Sequence, residues 1–212
     1  MDTSWAAEHL QTIRTLMERS AVYRRALAPV MTFNGVVGCT AAVGGWAAHI
    51  DSPRGFIIFW ISVATLALAG SFLLVRRQAL RESEPFWSPP TRRITWAMLP
   101  PLAAGCIISL LVLGWATNPG KADYSAMALW LPATWVIFYG CAFHAAGFFM
   151  PRGMRLFGWI FVLGGCSCLA LRLQYDIEPL IYVYGVMGFF FGLFHLAYGV
   201  YLYFTEPRGN ET

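Results

Sequence analysis

Charge is what this 212-residue sequence has least of: Asp, Glu, Lys and Arg together make up 12% of it, against 58% hydrophobic residues. With a mean hydropathy of +0.55, the chain is too apolar for a domain whose only solvent is water. The scarcity is also uneven. Apolar runs at about 27–49, 56–75, 96–115, 127–150, 156–171 and 180–204 contain no Asp, Glu, Lys or Arg. Proton pumps and ion-coupled carriers usually keep an ionisable pair inside the bilayer, so this absence weighs against that class. Catalytic vocabulary is missing too: there is no HExxH, no Ser in a GxSxG turn, no Walker loop, no dinucleotide fingerprint and no paired carboxylates within a run. Cysteine is present but odd in number. Cys39, Cys106, Cys141, Cys166 and Cys168 all fall in apolar runs, which predicts buried free thiols and no disulfide framework.

What is there begins with the runs themselves. Each is long enough to cross the hydrocarbon core as a helix, the shortest, Leu156–Leu171, by borrowing flanking residues. The fold class is therefore all-α: a polytopic membrane protein, a bundle of six transmembrane helices over residues 27–204. Between the second and third runs lies RRQALRESEPFWSPPTRR, with Arg76, Arg77, Arg81, Arg92 and Arg93. A segment so basic is not threaded through lipid and stays on the side of synthesis. With it in the cytosol, all 15 Lys and Arg residues except Arg54, Lys121 and Arg172 share that side, provided both termini are cytosolic. The net charge of +4 thus reads as topology and as contact with anionic lipids on the cytosolic face, with no nucleic acid implied. Phe86 and Trp87, set among prolines, suit the headgroup layer; the alternative is a docking site for a soluble partner.

Residues 1–26 mix charge and apolarity where an export signal would show a basic start and then an apolar core, so they are expected to be a retained helix. Leu10, Ile13 and Met17 recur at helical spacing and make an apolar stripe on a cytosolic amphipathic helix. The stripe is covered by the membrane surface or by the chain's own helix ends, or else by another membrane subunit or a second copy. Residues 205–212 form a polar cytosolic tail. Within the first run, Gly35, Gly38, Ala41, Ala42, Gly44 and Gly45 permit close helix packing, and Asn34 is interhelical glue. Pro100–Pro101 predicts a bend in the third span or a helix that begins at that pair.

Over Ile13–Pro29, IRTLMERSAVYRRALAP, and more faintly over Gly192–Gly199, GLFHLAYG, the chain resembles a group of bacterial multi-pass membrane proteins. The resemblance implies a bacterial cell (inner) membrane and carries no implication about activity.

Two histidines remain inside the runs. His144 and His195 sit in similar phrases, GCAFHAAG and GLFHLAYG, about 9 Å and about 13 Å from the cytosolic ends of their spans at the α-helical rise. Nearby glycines could make room for a flat ring system, and axial ligation of a haem b by the two imidazoles is one expectation. Interhelical hydrogen bonding by each is the other. Cys141 shares a helix face with His144, but the sequence supplies no third or fourth metal ligand. The functional expectation is a non-enzymatic accessory, scaffolding or signal-coupling subunit. The alternatives are a haem redox protein on His144 and His195, and a small-molecule permease moved by breaks at Pro100, Pro101 and Pro132.

Overall fold

The computed structural model describes residues 26–81, 83, 85–115, 124–150 and 152–205. The amphipathic helix expected over 1–26, with Leu10, Ile13 and Met17, lies outside them but for its last residue, as does the tail beyond Thr205. Among the described residues there is no strand. Six helices are long and apolar enough to cross a membrane: α1 (Ala26–Ala47), α2 (Pro53–Arg81), α3 (Pro89–Trp115), α4 (Tyr124–Ala146), α5 (Arg152–Gln174) and α6 (Pro179–Thr205). A bundle of apolar helices is what a lipid-facing chain must form, since only a helix satisfies all its backbone donors and acceptors within one segment.

The apolar runs and the helices coincide within a few residues except beside the arginines. There α2 continues past residue 75 to Arg81 and α3 begins at Pro89, seven residues ahead of the apolar run. The five arginines therefore stand on helical turns and not in a loop. Pro89 and Pro90 open α3, where missing amide donors cost nothing. Ser88 and Thr91 bind each other through their hydroxyls at 2.9 Å, and Thr91 also reaches the Phe86 carbonyl at 2.9 Å. Pro100–Pro101 lies within this helix, so the expectation of a start at that pair is wrong: eleven residues of helix precede it. α5 is long enough to cross, as expected, its 23 residues including turns borrowed from both flanks of the apolar run. At the other end of the bundle, Glu178 caps α6 by accepting from the Ile181 amide at 2.7 Å, ahead of Pro179. His49 ends α1 in the left-handed region (φ 50°), its amide bonded to the Trp46 carbonyl at 3.1 Å.

Two helix pairs are in backbone contact. In the α1/α6 pair, a Cβ on Gly38 would lie 2.8 Å from the Gly192 nitrogen, and one on Gly192 would lie 2.9 Å from the Cys39 nitrogen. In the α4/α5 pair, a Cβ on Gly140 would lie 2.7 Å from the Gly158 carbonyl oxygen, and one on Gly158 would lie 2.5 Å from the His144 nitrogen. Glycine lets helices approach this closely, and in lipid, where burial of apolar surface drives little, such packing is a principal source of association. Aromatic rings join the pairs: Phe157 and Phe161 of α5 meet Phe194 of α6, and Tyr139 of α4 meets Phe191 of α6.

The cysteines correct one expectation. All five are free, as predicted, yet none is buried: Cys106 and Cys166 are exposed and the others half-exposed. In an apolar solvent a thiol loses little by facing outward, so position inside a run did not imply position inside the bundle.

Candidate functional site

The most deeply buried polar side chain among the described residues is His195, and its surroundings follow from one irregularity in α6. Gly188–Phe194 is π-helical, between α-helical segments Pro179–Met187 and His195–Thr205. The wider turn lets a side chain compete for a main-chain carbonyl, and π segments of this kind gather at functional positions. Here the carbonyl of Phe190 lies 2.8 Å from Nδ1 of His195 in its own helix. The other ring nitrogen, Nε2, lies 2.7 Å from the hydroxyl of Tyr139 in α4. A carbonyl can only accept, so Nδ1 carries the proton, Nε2 presents its lone pair, and the Tyr139 hydroxyl donates to it. The imidazole, 1% exposed, is thus satisfied at both nitrogens. Its ring is enclosed by Tyr139, Phe157, Phe161 and Phe191, with centroids 5.3–6.1 Å away.

His144 is placed differently. Its ring lies against Trp159 (5.3 Å) and Phe148 (5.6 Å), residues 49% and 63% exposed, on the outer side of the α4/α5 contact. Nδ1 of His144 is buried and has no hydrogen-bond partner among the described residues. The two imidazoles share none of their ring neighbours. The residues as arranged do not fit a haem between them: Nε2 of His195 is already engaged by Tyr139, and four aromatic rings fill the space a porphyrin would need.

Sequence reasoning missed Tyr139. The signal was available, because a phenol inside an apolar run needs a partner, and the run's only strong acceptors are imidazoles and carbonyls. A second polar contact, Trp135 Nε1 donating to Ser109 Oγ at 2.8 Å, ties α4 to α3, and Ser109 in turn donates to the Gly105 carbonyl at 2.7 Å. Asn34 is where interhelical glue is expected: its Oδ1 accepts from Ser71 of α2 at 3.1 Å.

The other candidate site is at the arginine-rich end. Arg76, Arg77 and Arg81 are exposed on the last turns of α2, and Arg92 and Arg93 are exposed on the first turns of α3. Phe86, between the two helices, packs on Phe72 at 4.9 Å and stacks near Trp87 at 6.4 Å. The aromatic pair of the connector thereby anchors it to α2. Among the described residues no three His, Cys, Asp or Glu side chains are grouped to hold a metal ion. No family model, no curated protein and no solved structure matches the chain.

Proposed function

We propose that the chain is a non-enzymatic component of a bacterial cell-membrane assembly, an accessory, scaffolding or signal-coupling subunit with both termini in the cytosol. It works through helix contacts in lipid and through its basic cytosolic face. The observation that carries this reading is the distribution of chemistry. The polar groups best placed for a reaction, His195, Tyr139, Ser109 and Trp135, spend their hydrogen bonds on holding helices together, while the outward surface offers apolar α3 residues and unburied arginines. On α3, Ile107, Leu110 and Leu111 are 56%, 55% and 64% exposed. A coupling subunit can use such a pairing of hydrogen-bonded interior and exposed exterior.

The test is cross-linking in intact membranes with a photoreactive residue at position 107 or 111, and at buried position 161 as reference. The reading expects adducts of one defined protein mass at 107 and 111 and none at 161. Lipid adducts alone at both α3 positions would end it, as would a Soret band in the purified, haem-replete chain.

A further inference from the structure

α2 is longer than a bilayer needs. Its 29 residues span about 43 Å at 1.5 Å each, against a hydrocarbon core of about 30 Å. Counting from Phe56, where the uncharged run begins, the core ends near Val75, so Leu73 lies in its last turn and the turns from Arg76 onward stand at the headgroup layer. Leu73, Arg76, Arg77, Leu80 and Arg81 line one shallow, open groove along this end of the helix. Ala79, pointing the other way, is 4% exposed, so this face is the one turned from the bundle. Toward the membrane centre the same face continues as Ala69 and Leu66, both exposed. The ion pair recorded among the described residues, Arg172–Asp176, lies at the opposite end of the bundle, so no described carboxylate neutralises the three guanidinium groups.

The face therefore has two parts in a fixed order, an apolar track and then a cationic cluster at headgroup depth. We propose that it binds an anionic phospholipid, the phosphate held by Arg76, Arg77 and Arg81 and an acyl chain lying along Leu66 and Leu73. Guanidinium groups suit this ligand because they pair with phosphate oxygens through two hydrogen bonds at once. An acidic soluble peptide or free phosphate would match the cations and leave the apolar track uncovered. The inference deepens the basic-face part of the proposed function by naming what that face recognises on α2.

The experiment is native mass spectrometry of the full chain purified in detergent and titrated with phosphatidylglycerol or phosphatidylcholine. Each arginine near the headgroups contributes about fivefold in affinity, so the wild type is expected to prefer phosphatidylglycerol by about 100-fold. The triple change Arg76→Gln, Arg77→Gln and Arg81→Gln brings the preference to near unity. The corresponding triple Arg→Lys chain keeps the charges without the paired hydrogen bonds and so holds an intermediate preference, which separates lost charge from lost fold. Arg92→Gln with Arg93→Gln, equally exposed on α3, leaves it intact. The proposal is overturned if the Gln triple retains its preference, if the Lys triple loses as much as the Gln triple, or if the α3 pair matters equally, which would mean a diffuse field. It is also overturned if inorganic phosphate at about 10 mM displaces the lipid, or if cysteines placed by Met17→Cys and Leu80→Cys join spontaneously, giving the groove to the chain's own N-terminal segment. None of these outcomes touches the α3 cross-linking, so the coupling reading stands or falls separately.

Discussion

α6 and α2 are both long apolar helices of nearly equal length, yet they are held in opposite ways. Buried residues make up 44% of the apolar stretch of α6 and 11% of that of α2. α6 is fixed by backbone contact with α1, by the His195–Tyr139 bond, by Tyr182 donating to the Cys168 carbonyl at 3.2 Å and by Tyr184 donating to the Ile50 carbonyl at 3.1 Å. α2 touches its neighbours through Phe56 and Trp60 near one end and through Gly70 and Ser71 near the other. In lipid both are stable as helices, because the backbone is satisfied either way. What differs is the free energy of moving one against the rest. The comparison makes α1, α4, α5 and α6 the frame, and α2 with α3, whose apolar stretch is 17% buried, the surface the frame presents.

The comparison breaks first at the glycines. Gly38→Val or Gly158→Val forces a branched side chain into a neighbouring backbone, and the helices must separate. The expected loss is about 3 kcal/mol or more, toward the upper end for overpacking, seen as loss of the monodisperse peak in detergent and a collapse of the thermal midpoint. At Gly44 and Gly185 an added Cβ meets nothing within 4 Å, so valine there should leave both measurements unchanged. Equal tolerance at all four positions would show that the two pairs are not packed backbone to backbone.

Next comes the buried imidazole. Tyr139→Phe leaves Nε2 of His195 without its donor inside a dry cluster, at a cost of about 1–3 kcal/mol. His195→Ala removes the ring as well and should cost about 2–5 kcal/mol, by analogy with large-to-small core changes. The double variant should cost less than the sum, because both single changes remove the same bond. Strict additivity in reversible unfolding would mean that the two side chains do not meet. Ser109→Ala sharpens the contrast from the α3 side. It strands Trp135 Nε1 and should cost about 1 kcal/mol, read as a lower thermal midpoint.

The sequence carried the six helices plainly, because apolar length and the side preference of arginine are read residue by residue and lipid enforces both. Asn34 could be anticipated for the same reason: a carboxamide in hydrocarbon must find a partner. Which glycines would zip could not be anticipated in full. Gly35 and Gly38 stood out by their density, but Gly140 and Gly158 are each several residues from the next glycine and lie in different runs, and only three-dimensional register shows that they face each other. The same holds for His195. A π segment leaves no mark in composition, since GFFFGLF reads equally well as α-helix, so the Phe190 carbonyl could not be assigned to the imidazole beforehand. The equivalence drawn between His144 and His195 failed at this step. Similar phrases made similar depth the expectation, yet His144 stands in the last turn of α4 while ten residues of helix follow His195, and facing direction depends on helix rotation, which neighbours decide.

The smallest expected effect is also the one most specific to α2. Ser71 donates to Asn34 Oδ1 at 3.1 Å, a side-chain hydrogen bond between α2 and α1. Interhelical bonds of this kind average about 0.6 kcal/mol, because in the unfolded but membrane-inserted state the same groups find other partners. Ser71→Ala should therefore barely move the thermal midpoint of the whole chain. Its effect should be local: hydrogen exchange at the arginine-rich end of α2 should quicken about threefold, the factor that 0.6 kcal/mol corresponds to, while α6 stays as protected as before. Gly70 beside it packs on the Phe33 ring of α1, so some of the attachment survives the change. If protection in α2 and α6 fell together, the two helices would open as one cooperative unit, and the division between frame and presented surface would be wrong.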